Sequence, residues 1–316
     1  MVAAMNHTVN DNSNAKRLQR LLDEITLSAT DKRHFVLMNR TQVRVSLDRT
    51  EWDFGSITNN LLTAAVETNG LAVPVHSKDL GKCGSSSDAE RIQAINDTLE
   101  VIPVEYIQVL TADREFPSAR FLDHLKSKGL SFAVRIKSDA MIKHDGQVKS
   151  AAEWFCAYQK KYLRGALVNL CGRRLGTRKG KAVDYLIVVT NLEPLEGYRL
   201  YRTRWKREQP ARCCFVSKKI ETLFGALKSR GFNLESTRVT QSKRLENLVL
   251  LLGVAVLWAL RVGLWVWEQG EIRVRRDGVA LYSLFRLGLD FLRRLLLNPD
   301  PRVCVWDDVI RVLSGT

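Results

Sequence analysis

Residues 43–136 carry the strongest constraint on this 316-residue chain: a row of short segments whose hydrophobic periods and turn residues fix both type and order. Residues 43–48 (VRVSLD) alternate apolar and polar, the pattern of a half-buried strand. A second strand is expected over 56–67 (SITNNLLTAAVE), and Asn69-Gly70 after it is a strong two-residue hairpin signal. Residues 71–77 (LAVPVHS) return as a third strand, with Pro74 suggesting a sheet edge. Beyond the Gly/Ser stretch GKCGSSSD, Asp88 can cap a helix over about 89–101. A strand at 105–111 (EYIQVLT), a helix at about 118–128 closed by Gly129, and a strand at 131–136 (SFAVRI) complete the run. The order is three antiparallel strands, helix, strand, helix, strand.

That is the order of the ribonuclease-H-like fold, so the expected class is α/β with a mixed sheet whose first and fourth strands are neighbours. Asp48 ends the first strand, in LDRTEWDFG, and Asp113 lies just past the fourth, in LTADREF. On neighbouring strands the two carboxylates converge at one edge of the sheet. Hard divalent cations require such oxygen ligands, and a third carboxylate would complete a two-metal site. Taken singly, each aspartate reads more readily as a strand end or turn cap.

Other chemistries find little support. The cysteines form no CxxC pair and no Cys/His cluster, which argues against zinc and for a reducing compartment. The five histidines are isolated, and neither GxGxxG nor a Walker loop occurs. The first fifteen residues have neither the basic start nor the apolar core of a secretory signal, so none is expected.

The net charge of +15 points to a polyanionic partner. It is concentrated: thirteen Lys/Arg against three Asp/Glu between Arg199 and Arg244 give +10. Such a stretch can be a solvated helix face. Its aromatic and amide neighbours (Tyr201, Trp205, Phe224, Asn233) also suit a surface that neutralises phosphates. Within it, 220–231 (IETLFGALKSRG) reads as an amphipathic helix with Ile220, Leu223, Phe224 and Leu227 on one face. Glu221 and Lys228, seven apart, are about 20° short of two full turns and so project from nearly the same side, roughly 10 Å apart along the axis. Residues 164–190 suggest two or three strands with a basic Gly-rich turn at 172–180.

Residues 248–267 (LVLLLGVAVLWALRVGLWVW) are long enough to span a membrane, with Arg261 as the one charge. An arginine well inside the run would be costly in lipid, so a helix buried in protein is expected, with Arg261 reaching an edge or a carboxylate.

The blocks LDRTEWDFG, LTADREF and IETLFGALKSRGFNLEST together resemble the catalytic blocks of DDE transposases of the insertion-sequence-four family, over about Leu18 to Leu297. The resemblance implies a ribonuclease-H-like core interrupted by a β-rich insertion and followed by C-terminal helices. The implied bounds are a short N-terminal helical segment at 1–40, core at 41–140, insertion at 141–198, and catalytic helix with helical region at 199–316. It implies metal-dependent strand cleavage and strand transfer of an insertion sequence, with Asp48, Asp113 and Glu221 holding two Mg²⁺ ions, or Mn²⁺ in their place. Lys228 matches the lysine of the family's Tyr-Arg-Glu-Lys signature. Tyr201, Arg204 and Lys228 would clamp phosphates, and Arg230, Lys243 and Arg244 would add to the DNA surface. Implied partners are double-stranded DNA (transposon ends and target) and a second copy of the chain in a synaptic complex, with no membrane. The implied place is the bacterial cytoplasm, at the nucleoid.

The chain departs from the pattern at two places. Tyr201 and Arg204 come into phase with Glu221 and Lys228 only if 207–219 (REQPARCCFVSKK) is a 13-residue insertion. Pro210 breaks a continuous helix there, and thirteen residues rotate the register to about 140° short of a whole turn. Only 47 residues precede Asp48, where the family carries a helical DNA-recognition domain. These departures predict weak activity that deleting 207–219 increases. The alternative is a catalytically impaired, transposase-derived DNA-binding remnant.

Overall fold

A computed structural model of the chain describes residues 11–37, 40–68, 71–156, 160–165, 168–175, 185–203, 219–228, 231–270, 281–297 and 303–314. Two helices, α1 (Asp11–Glu24) and α2 (Ala29–Leu37), precede the sheet. Then come β1 (Val43–Phe54), β2 (Ile57–Thr68), β3 (Leu71–Asp79), α3 (Asp88–Val101), β4 (Ile107–Ala112), α4 (Ala119–Ser127) and β5 (Phe132–Ile136). Strand β1 runs antiparallel to β2 and parallel to β4, and β4 runs parallel to β5. The hydrophobic periods in the sequence therefore yield the ribonuclease-H-like strand order β3-β2-β1-β4-β5.

Local chemistry differs from the expectation at two points. Ser87, not Asp88, caps α3, in a reciprocal capping box with Glu90. Strand β1 also does not stop at Asp48. It continues against β2 to the pair Phe54↔Ile57, where Gly55 turns the chain at φ +60°. Only its pairing with β4 ends, at Leu47↔Ala112. The overhang reads as a turn in sequence because, beyond β4, little covers it: of Glu51–Phe54 only Trp52 is buried.

The hairpin β6 (Met141–His144) and β7 (Gln147–Ser150) follows, then α5 (Ala151–Phe155). Asp145 (φ +47°) and Gly146 (φ +75°) form its turn. This Asp-Gly pair is itself a two-residue hairpin signal in the sequence. Strands β8 (Lys160–Arg164), β9 (Asn169–Arg174) and β10 (Tyr185–Thr190) do not form a separate sheet. Strand β10 runs antiparallel to β5, so the main sheet grows to β3-β2-β1-β4-β5-β10-β9-β8. Residues 176–184, which include part of the basic turn, lie outside the described residues.

Helices cover both faces. Val45, Leu47, Leu62 and Ala64 pack with Ala94 and Ile95 of α3 and Phe121 and Leu125 of α4. The opposite face takes α6 (Pro194–Thr203), α7 (Lys219–Lys228) and α8 (Ser242–Glu268). There Trp52, Leu61, Ala65 and Ala72 meet Leu223 and Leu227 of α7 and Leu245 and Leu252 of α8. Val109, Ala133 and Val188 meet Tyr198 and Tyr201 of α6. Each fully buried aliphatic or aromatic side chain contributes about 1.5–3 kcal/mol, so these clusters position whatever the sheet edges carry.

The apolar run 248–267 lies within α8, which packs against β3 and the helices α9 (Leu284–Leu297) and α10 (Val303–Ser314). By length and composition α8 could cross a membrane, and 56% of its most apolar window is buried inside the protein. Among the described residues Arg261 has no carboxylate partner: its guanidinium donates to the Leu313 carbonyl of α10. Burial, with Arg40 as a neighbouring like charge, pulls its pKa down to about 10.

Candidate metal-binding edge

Register decides where the two aspartates lie. Leu47 pairs with Ala112 across parallel strands, so Asp48 and Asp113 are the next residue on each. The Ser46 and Thr111 hydroxyls are 3.0 Å apart, so these positions share a face. The two-residue period then places Asp48 and Asp113 on that same face, the one that α6, α7 and α8 cover.

That face is polar along β1 and β4. Ser46 donates to Glu67 Oε1 at 2.6 Å, and the Thr63 and Ser77 hydroxyls lie 3.1 Å apart, all four residues buried. The seam runs between the apolar cluster under α7 and α8 and the cluster under α6. Asp48 and Asp113 lie at its end, both half-buried. Asp48 Oδ1 accepts a hydrogen bond from the Arg49 amide at 2.8 Å. Asp113 Oδ1 is buried with no hydrogen-bond partner among the described residues. A buried carboxylate oxygen without a donor is costly, and a cation would satisfy it. The pair therefore fits a hard divalent ion in donor chemistry and in its unsatisfied oxygen.

The other expected residues are placed differently. The predicted apolar face of α7, Ile220, Leu223, Phe224 and Leu227, is buried. Burying that face leaves Glu221 exposed in the helix's first turn, where a carboxylate favours the helix dipole. Among the described residues, no three His, Cys, Asp or Glu side chains gather closely enough to hold a metal ion. Glu221 is thus not gathered with the aspartates in this arrangement. Lys228 Nζ donates to the Glu51 carbonyl at 2.8 Å, pairs with Glu235 at 3.2 Å and lies 5.0 Å from the Trp52 ring centre. It pins the end of α7 to the β1 overhang.

Tyr201 is 1% exposed, in the core between α6 and the sheet. A side chain so placed cannot clamp a phosphate. In the sequence the tyrosine's basic neighbours mask the apolar face of α6. Arg244 grips Asp23 of α1 through two hydrogen bonds of 2.6 and 2.7 Å, which binds α1 to α8. Lys243 is exposed on the first turn of α8. Arg204, Arg230 and residues 207–218 of the expected insertion lie outside the described residues.

The strand order with paired aspartates at the β1/β4 edge defines the class: a ribonuclease-H-like core with a candidate cation-binding edge. Residues 42–214, more than half of the chain, match the family described as the transposase DDE domain, and the chain belongs to that family. The match includes both aspartates and ends before Glu221. DDE transposases use divalent metal ions. No curated protein sequence matches the chain. Among solved structures, a piggyBac transposase in a synaptic complex with hairpin DNA aligns at 10% identity with a TM-score of 0.37. That alignment covers 85% of this chain, which spans 57% of the piggyBac chain. Endonuclease V from Bacillus subtilis aligns at 10% identity and TM-score 0.33, over 74% of this chain and 98% of that one.

Proposed function

We propose that the chain is a DNA transposase of the insertion-sequence-four type that performs metal-dependent strand cleavage and strand transfer. The observation that carries this reading is the β1/β4 register, which sets Asp48 beside Asp113 with one Asp113 oxygen unsatisfied. In this reading Asp48 and Asp113 hold Mg²⁺, or Mn²⁺ in its place. When bound, divalent ions activate water and stabilise charge on the attacking and leaving oxygens. The chain's own contribution is to fix the two carboxylates on neighbouring strands and to keep the Arg49 amide on Asp48.

Glu221 is the proposed third ligand. Its support is its spacing from Lys228, which itself lies against β1. Double-stranded DNA, both transposon ends and target, is the proposed partner, with Lys243 and Arg230 on its surface and a homodimer as the synaptic form. The proposed setting is the bacterial cytoplasm, with no membrane partner.

The second reading, a DNA-binding remnant without chemistry, is favoured by the separate placement of Glu221 and by the buried Tyr201. Nicking of supercoiled DNA in Mg²⁺ or Mn²⁺ separates the two. The transposase reading expects cleavage that Asp48→Asn abolishes and that deletion of 207–219 increases. Salt-sensitive DNA binding with no nicking in either form would leave the remnant.

A further inference from the structure

Arg49 and Glu115 lie within two residues of the metal-site aspartates in sequence, yet the site as described gives neither side chain a role. Arg49 Nε donates to Glu115 Oε1 at 3.2 Å, and a second guanidinium nitrogen lies 3.4 Å from Oε2, a fork on a single carboxylate. Its third nitrogen reaches Asn60 Oδ1 at 3.0 Å and the Glu51 carboxylate. Arg49 follows Asp48 on β1, and Glu115 lies two residues past Asp113 in the turn after β4. The same residue's amide holds Asp48 Oδ1.

The turn is fastened from its other side as well. The Phe116 amide donates to the Asp113 carbonyl at 3.1 Å. Arg91 of α3, itself buried, donates to the Phe116 carbonyl at 2.8 Å and to Ser86 Oγ at 2.9 Å. Its guanidinium also lies 5.5 Å from the Phe116 ring centre. One end of the ADREF turn is therefore tied to α3, and Arg49 links that turn to β1 beyond Leu47↔Ala112, where strand pairing has ended.

We propose that Arg49 is a positioning residue: by gripping Glu115, it locks the turn carrying Asp113 to the strand carrying Asp48 and sets the spacing of the two carboxylates for a divalent cation. This rests on the metal-site reading above. Arginine suits the task because its planar fork engages one carboxylate through two nitrogens and still has a third for Glu51 and Asn60. A lysine offers a point charge in its place.

The sign of one substitution separates geometry from charge. Arg49→Gln removes a cation beside a cation site, so through-space electrostatics alone would tighten metal binding. Loss of the clamp weakens it instead, by about tenfold or more, as for other partners that orient metal ligands. The measurement is Mn²⁺ binding to the full chain without DNA, read from the electron paramagnetic resonance of free Mn²⁺, with thermal melting of each variant. The expected result is weaker binding by Arg49→Gln, with Arg49→Lys intermediate. Unchanged or tighter binding by a folded Arg49→Gln overturns the proposal. Should that variant fail to melt cooperatively, Arg49→Lys decides: it keeps the charge, so weaker binding supports the clamp and parental binding overturns it. If the parent chain binds no Mn²⁺, or Asp48→Asn binds it equally well, the metal-site reading falls and the clamp's role falls with it.

Discussion

Replacing Gly288 with alanine tests how α8 is held behind the sheet. Helices α8 and α9 cross at Gly263 and Gly288, where their backbones touch. A Cβ on Gly288 would fall on the Ala259 carbonyl oxygen, 2.6 Å from the Gly263 nitrogen and 2.8 Å from the Ala259 carbonyl carbon. Ordinary contact needs about 3.4–4 Å, and each obstacle is backbone, so no side chain can swing aside. To reach ordinary contact the helices must separate by about 1.5 Å or more, opening the layer that contains Val262, Phe285 and Leu289. Overpacking of this kind costs about 1–3 kcal/mol. Alanine's better helix propensity returns up to about 1 kcal/mol. With rigid backbone on both sides the upper part of the range applies, for a net loss of about 2 kcal/mol. At roughly 2–4 °C per kcal/mol, the melting temperature falls by about 4–8 °C. Thermal unfolding followed by circular dichroism reads this, with Leu296→Ala on the exposed side of α9 as a control that stays within about 0.5 kcal/mol. A Gly288→Ala protein that melts at or above the parent temperature would refute the close crossing.

Three further outcomes follow from particular contacts. Burial depresses the pKa of His76 more than Asp97 raises it, so the folded protein favours the neutral ring. The stability this gives is present above the ordinary value of 6.5 and is lost as pH falls through the lowered value, and His76→Gln should flatten that acid slope in denaturant melts. Arg244's hydrogen bonds hold Asp23 below its usual 3.8, so the α1–α8 clasp is intact at neutral pH and opens only as pH falls through that lowered value. Hydrogen exchange in α1 should rise there, and Asp23→Asn should remove the transition. Leu223 is fully buried on the face opposite Glu221, so Leu223→Ala should destabilise the chain by about 2–5 kcal/mol, read in urea melts.

The sequence alone determined the elements whose information is local. Alternation over 43–48, the apolar second and third strands, and the capped helix at 88–101 are each readable because side-chain period and turn chemistry act within a few residues. Their order constrains the sheet strongly enough to make β1 and β4 neighbours, and hence Asp48 and Asp113. The apolar face of α7 was readable for the same reason. Tertiary structure decided what depends on partners distant in sequence. The length of β1 past Asp48 is set by pairing with β2, while its own residues look like a turn. Strands β8 to β10 join the main sheet because β10 finds the free edge of β5, a choice no local pattern encodes. Tyr201 looks like part of a basic stretch until α6 folds onto the sheet and buries it. Glu221 and Lys228 share a side of α7 by helical geometry. Which groups that side meets is fixed by how the opposite, apolar side packs against the strands and α8, a property of the assembled core that spacing along the chain does not carry.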